Sequence, residues 1–228
     1  MSRTLIVPDV HEQIPKLWNI GETLMPQASR VVMLGDFFDT FWPEGRQQDC
    51  AEWLKQHLHD PKFDILLGNH DCHYAFGNRA FRCSGYSTLT HRIVDEVLTP
   101  DDWRKAKIYT RVGKFLVSHA GFHPRLLALL EPEMQQAALE AAFGGDFHAM
   151  WSAGQIRGGM AIVGGPTWLD WNYEFESIEG QPQIVGHTQD RAVRMKQLND
   201  EVSYCLDTSL RHVMWVDEDT NEVEIITL

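Results

Sequence analysis

The sequence predicts an α/β fold with mixed sheet content, and three features carry that expectation. Short all-apolar runs alternate with helical patterns through the first third, as parallel strands joined by right-handed crossovers require. The last third instead alternates apolar with polar residues between brief turns, which is antiparallel behaviour. At 228 residues the chain is long enough for one α/β domain over its whole length, with a well-buried core.

The first strand is read in TLIV at 4–7, followed by an amphipathic helix over roughly 12–25 and a second strand, RVVML, at 30–34. CAEWLKQHL at 50–58 makes a second helix and FDILL at 63–67 a third strand. Such a succession places the carboxyl ends of the strands along one edge, where ligands of α/β sheets bind. Residues 73–105 mix glycine, arginine and aromatic side chains ahead of the helical STLTHRIVDEVL, whose Ser87 is the expected N-cap, and read as a substrate-side insertion over that edge. KIYTRVGKFLVSH suggests a hairpin through Val112–Gly113, with an acidic helix over roughly 124–143 after it. Strands are then expected at about 183–186, 192–196, 202–206, 211–217 and 222–226, the late ones antiparallel. No repeat, low-complexity tract or linker interrupts the chain.

Lysine and arginine number 20 against 32 aspartates and glutamates, a formal charge of −12. This argues against a general nucleic-acid or anionic-membrane binder, which needs a basic face. Neither a charged opening with an apolar h-region nor a run long enough to span a bilayer is visible, so a cytoplasmic protein without membrane association is expected. The four cysteines, Cys50, Cys72, Cys83 and Cys205, lack C-x-x-C spacing and read as reduced thiols. The Cys72–Cys83 spacing is not a zinc-ribbon pattern.

Five apolar runs are each followed by potential metal ligands: Asp9 and His11 after the first strand, Asp36 and Asp39 after the second, Asn69, His70 and Asp71 after the third, then His119 and His187. On an extended segment Asp9 and His11 point to the same side and can grip one ion. Carboxylates and imidazoles without thiolates suit manganese, iron or zinc better than calcium. Six such ligands fit two ions about 3.5–4 Å apart, bridged by a carboxylate and a hydroxide.

Taken in order, D-x-H at Asp9–His11, G-D-x-x-D at Gly35–Asp39, G-N-H-D at Gly68–Asp71, H-A-G at His119–Gly121 and G-H at Gly186–His187 make the chain resemble the calcineurin-like metallophosphoesterases. The resemblance implies a four-layer α/β/β/α sandwich in which two mixed sheets are flanked by helices. It implies a first metal held by Asp9, His11 and the shared Asp36, and a second by Asp36, Asn69, His119 and His187. It further implies a metal-bridging hydroxide as nucleophile and His70 as general acid, with Asp39 bonded to its other nitrogen. In GNHD the glycine would permit the tight turn, and Asp71 would stabilise it or cap a helix. Two divalent ions against two ligand carboxylates and one hydroxide leave about +1 locally, which is how an acidic protein would attract a phosphate.

Within that superfamily the chain is similar to the phosphoprotein-phosphatase-like and diadenosine-tetraphosphatase-like branch, because SHAG and GHT lack a second histidine and GPTWLDW and CLDTS match its late segments. The branch usually carries two phosphate-clamping arginines where this chain has Thr40 and Leu67. Arg46, Arg79, Arg82 or Arg157 would have to replace them from loops, or else serve as surface charges. Gln189 stands two residues after His187 and either ligates the first metal or faces solvent. Trp42, Trp151, Trp168 and Trp171 lie near motif-bearing loops, as pocket walls or as core. His57, His59, His73, His91, His123, His148 and His212 fit no motif. The expected substrate is a phosphorylated small molecule or nucleotide. A protein Ser/Thr/Tyr phosphatase, a diadenosine-polyphosphate hydrolase and a metal-binding scaffold without catalysis are the alternatives.

Overall fold

Leu5, Ile6 and Val7 are fully buried in the first strand, β1 (Arg3–Val7), which is why that run shows no polar alternation. A computed structural model describes residues 2–40 and 45–228, and Trp42 lies outside the described residues. Helix α1 (Ile14–Thr23) starts with Pro15 in its first turn, where a missing N–H costs nothing, and turns Ile14, Leu17 and Ile20 inward. β2 (Arg30–Met33), α2 (Gln47–Leu58) and β3 (Phe63–Ile65) follow, with Cys50, Leu54 and Leu58 on the buried side of α2. β1, β2 and β3 pair in parallel.

A seven-residue helix, α3 (Asn69–Ala75), begins directly after the third strand's loop. Helix α4 (Thr88–Val97) is capped as expected by Ser87, whose hydroxyl accepts from the amides of Leu89 and Thr90 at 3.2 and 3.4 Å. After the short α5 (Pro100–Trp103), β4 (Tyr109–Val112) and β5 (Phe115–Ser118) form the expected antiparallel hairpin. The helix expected over 124–143 is two pieces: a 3₁₀ segment over Pro124–Leu130, then α6 (Pro132–Phe143). Pro132 pushes Glu131 into an extended conformation, φ −65° and ψ 134°, and so interrupts the helix.

The remaining strands are β6 (Gln183–Val185), β7 (Arg194–Leu198), β8 (Glu201–Cys205), β9 (His212–Asp217) and β10 (Val223–Thr227). They complete two five-stranded sheets, ordered β10-β9-β1-β2-β3 and β4-β5-β6-β8-β7. One late strand departs from the antiparallel expectation, since β6 runs parallel to both β5 and β8. All three of its residues are buried, as a strand between two covered faces requires, and so short a run carries no alternation to read.

Ile6, Val32, Met214 and Val216 from the first sheet meet Val112, Phe115, Val117 and Ile184 from the second, forming the layer between the sheets. Leu5, Val7, Val31 and Met33 face the other way, onto Leu17, Ile20 and Leu54 of α1 and α2. Beneath the second sheet, Leu116 packs with Ala138, Leu139 and Ala142 of α6, while Val185 and Cys205 pack on Leu169, Trp171 and Phe175. This is the α/β/β/α sandwich. Among the described residues no helix is long and apolar enough to cross a membrane.

Candidate metal centre

The carboxyl ends of β1, β2, β3, β5 and β6 converge, and the loops leaving them bring all six expected ligands together. Asp9, His11 and Asp36 each offer an atom within 4.8 Å of the others, and so do Asp36, His119 and His187. Asp36 is therefore common to both groups. Its Oδ2 lies 3.7 Å from His11 Nε2 and 3.3 Å from His119 Nε2. Asn69 joins the second group, with Oδ1 3.2 Å from His119 Nε2, and His187 Nδ1 stands 3.2 Å from the same nitrogen.

Each ring is oriented by what its other nitrogen meets. His11 Nδ1 is 2.9 Å from the carbonyl of Phe38 and His119 Nδ1 is 2.8 Å from that of Leu34, so both direct Nε2 into the cluster. The backbone is bent to the same end. His11, Asp36, Asp39 and His187 all take positive φ, at 42°, 50°, 63° and 64°, a conformation that costs non-glycine residues energy and that clusters at functional sites.

The donor set fits cations. With His119 Nδ1–H donated to Leu34, the remaining nitrogen faces Asn69 Oδ1, Asp36 Oδ2 and His187 Nδ1, a cluster of oxygen and nitrogen lone pairs that suits positive charge. In the metal-free protein that charge is a proton. Burial opposes it, but the carboxylates of Asp36 and Asp9 push the His119 pKa up to about 9. Burial and the His119 charge press His187 the other way, below its ordinary range, so it stays a neutral donor. Burial would raise Asp36, yet His119 and His70 hold it well below the usual carboxylate range. Burial together with Asp207 and Asp36 drives Asp9 well above that range, a conflict that a bound cation would relieve.

Two glycines let the backbone reach the carboxylates. A Cβ on Gly68 would stand 2.1 Å from Asp36 Oδ1, and one on Gly186 2.0 Å from Asp9 Oδ1. Gly68 has φ −92° and ψ 172°, which any residue can adopt. The glycine of GNHD is thus required for the close approach of Asp36 and not for the turn. Gly68→Ala should displace Asp36, costing about 1–3 kcal/mol in stability as overpacking does and lowering bound metal; thermal melts and metal content measure both.

Asp71 is a buried cap. It accepts from the amides of Asp36, Phe37 and Gly68 at 2.7, 2.8 and 2.9 Å, which locks the second and third loops together. Burial and the neighbouring Asp36 push its pKa up to about 7.

His70, on the first turn of α3, places Nδ1 2.8 Å from Asp39 Oδ2. Burial would weaken the imidazolium, but the charge of Asp36 and the bond to Asp39 hold its pKa well above the ordinary histidine range. Asp39 is itself held at about 2: burial works against it, and the close contacts of His70, His73 and Tyr74 outweigh burial.

Several residues near the site carried no signal in the motifs. Glu12 is buried and ties the first loop to the second, accepting from the amides of Asp39 and Arg46 at 3.1 and 2.8 Å. Asp207 is buried beside His11 and Asp36 and follows β8 by two residues, the same strand-end placement as the six expected ligands. His73 lies one turn along α3 from His70 and touches Asp39. The i, i+3 spacing was the available clue once that stretch is seen as a helix.

The cluster opens into a cavity of about 540 Å³ bordered by His11, Asn69, His70, His187 and Arg157. Of the four arginines considered, Arg157 borders this cavity, with Nε 2.9 Å from Asp170 Oδ2. Arg46 is paired with Asp49 at 2.6 Å and lies over Trp18, and Arg82 lies over Tyr86. Gln189 is exposed and bonds the Ser209 hydroxyl while edging the cavity. Trp168 also borders the cavity, its ring 5.8 Å from that of His187, whereas Trp151 and Trp171 are core. His123 is a 3₁₀ cap that accepts from the Arg125 amide at 3.1 Å.

Fold, ordered motifs and converging ligands are those of a metal-dependent phosphoesterase. The chain belongs to the calcineurin-like phosphoesterase family, whose family model matches residues 2–189. A cold-active protein-tyrosine phosphatase from a psychrophilic Shewanella species superposes with a TM-score of 0.63 at 15% identity, over 100% of this chain and 81% of that one. A putative diadenosine tetraphosphatase superposes at 0.56 with 15% identity, over 99% and 93% of the two chains. A protein serine/threonine phosphatase from Saccharomyces cerevisiae reaches 0.51 with 18% identity, over 99% and 80%. At these identities the likeness is one of fold. No curated protein matches the sequence.

Proposed function

We propose that the chain hydrolyses a phosphate ester of a small molecule or nucleotide at a two-metal centre, with His70 as the general acid. The observation that carries this is Asp36, shared between two ligand groups, with His70, bonded to Asp39 behind it, bordering the same cavity. Asp9, His11 and Asp36 would hold one ion and Asp36, Asn69, His119 and His187 the other. Bound there, divalent ions supply a lowered pKa to water and positive charge to the phosphoryl oxygens.

The protein's own groups do the rest. Asp39 accepts the Nδ1 proton of His70 and fixes its tautomer, so that Nε2 is left to protonate the departing oxygen. Arg157 is the guanidinium available to the phosphate, although Asp170 and Thr188 already hold it. The whole chain acts as one catalytic unit, since β9 and β10, beyond the family match, complete the sheet that carries Asp9.

Substrate size supports the small-molecule choice, because 540 Å³ suits one ligand of drug or nucleotide size. An adjoining cavity of about 520 Å³ shares Ser84, Arg157 and Trp168 with it and is bordered by the exposed Phe147, against which a base or aryl group can rest. The solved relatives' names point to phosphotyrosine, phosphoserine and dinucleotide substrates as the rivals. Manganese-loaded protein should turn over nucleoside monophosphates and alkyl or aryl monoesters faster than phosphopeptides or diadenosine tetraphosphate in side-by-side kcat/KM measurements. A phosphopeptide preference would reverse the substrate assignment, and inertness toward every ester would favour a scaffold.

A further inference from the structure

Beside the six-ligand cluster the structure builds a second, chemically different group. His70 and His73 project from one side of α3 onto the same carboxylate: Asp39 Oδ2 is 2.8 Å from His70 Nδ1 and 2.8 Å from His73 Nε2. The loop after α3 returns Cys83 to this point, with Sγ 3.8 Å from His70 Nδ1 and 3.4 Å from His73 Nδ1. One donor atom from each of the four residues lies within 4.8 Å of the others. The Tyr74 hydroxyl donates to Asp39 Oδ1 at 2.5 Å and fixes the carboxylate's orientation.

The group is enclosed, with side-chain exposures of 2% for Asp39, 11% for His70 and 0% for His73. His73 Nε2 lies 2.8 Å from Asp39 Oδ2 but out of line for a well-formed hydrogen bond. Such an atom in a buried site calls for a partner.

The donors identify the partner's class. One thiol, two imidazoles and one carboxylate are the tetrahedral set of zinc, and the thiol disfavours magnesium or manganese. With bonds of about 2.0–2.3 Å to a central ion, tetrahedral ligands stand about 3.3–3.8 Å apart. The distance of 3.8 Å from Cys83 Sγ to His70 Nδ1 is already in that range, while the 3.4 Å contact is to His73 Nδ1, the ring nitrogen turned away from Asp39. The two contacts to Asp39 need to open by about half an ångström.

We propose that Asp39, His70, His73 and Cys83 form an inhibitory zinc site, separate from the hydrolytic metal pair, that stops turnover by withdrawing its acid. On binding, zinc–sulfur, zinc–oxygen and zinc–nitrogen bonds form as the Cys83 thiol proton and the protons of His70 Nδ1 and His73 Nε2 pass to solvent, each ring keeping its other N–H. His70 then keeps only the Nε2–H of a neutral imidazole, a far weaker acid than imidazolium, and loses its bond to Asp39. The inhibitory effect rests on His70 as the acid, from the function proposed above; the binding of zinc does not.

Cobalt is the probe for binding, because the six hydrolytic ligands include no sulfur. Titrating manganese-loaded protein with cobalt should raise a thiolate-to-cobalt charge-transfer absorption that saturates near one equivalent per chain and is lost in Cys83→Ser and in His73→Asn. Zinc added to the same protein should slow alkyl phosphate hydrolysis. In Cys83→Ser the zinc needed, judged against that variant's own uninhibited rate, should rise by about tenfold or more. No thiolate-to-cobalt charge-transfer absorption from the wild type, an absorption that survives Cys83→Ser, or zinc inhibition that the substitution leaves unchanged would each overturn the proposal. Manganese-loaded protein with no hydrolysis at all would instead overturn the function proposed above, with the cobalt absorption still deciding whether this site exists.

Discussion

Replacing Asp36 with asparagine should remove most of the bound metal and lower hydrolysis by about a thousandfold or more, on the order of 4 kcal/mol at the transition state. Among the described residues Asp36 is the ligand common to both groups, with His11 Nε2 3.7 Å and His119 Nε2 3.3 Å from the same oxygen. Its other oxygen accepts from the His70 amide at 2.9 Å, and an asparagine oxygen can keep that bond. The loop is therefore expected to survive while the centre does not. Metal content by elemental analysis, paired with a thermal melt, separates the two effects. Full metal occupancy in the variant would show that Asp36 is not the bridge.

His70→Ala should do the reverse, leaving the metal in place and removing the acid. On an alkyl phosphate, whose leaving oxygen needs its proton, kcat/KM should fall about 10²- to 10⁴-fold. On a nitrophenyl phosphate, whose leaving group departs as a stable anion, about tenfold or less should be lost. That contrast is the signature of a proton donor and not of a misplaced ligand, because metal loss would slow both esters alike. His70 meets Asp39 through Nδ1 and makes no close approach to Asp9, His119 or His187 comparable to theirs with one another. Equal losses on the two esters would remove His70 from the acid role.

Much of this site was legible because its ligands sit at strand ends, where a buried apolar run stops and a polar residue follows. Asp9, Asp36, Asn69, His119 and His187 all obey that pattern, and the fold brings them together because the parallel strands share one edge. Asp207 obeys it too, but after β8, whose alternating residues gave it the look of an edge hairpin, so its place beside His11 stayed hidden. The parallel pairing of β6 was hidden for a related reason: three buried residues carry no period.

Other features depend on contacts that no linear spacing reports. Glu12 joins two loops through backbone amides supplied by Asp39 and Arg46, far along the chain. His73 reads as the start of an insertion until α3 is seen to extend through it, which puts it one turn from His70. Gly68 looks like a turn former in the sequence, whereas its conformation is ordinary and the crowding of Asp36 is what excludes a side chain. Arg157 is chosen from four arginines only by the loop that carries it to the cavity.

The most direct test of the whole account is anomalous scattering from crystals of the manganese-loaded protein. Two peaks about 3.5–4 Å apart, flanking Asp36 and within reach of Asp9, His11, Asn69, His119 and His187, are the predicted result. A single peak, or peaks away from those side chains, would contradict it.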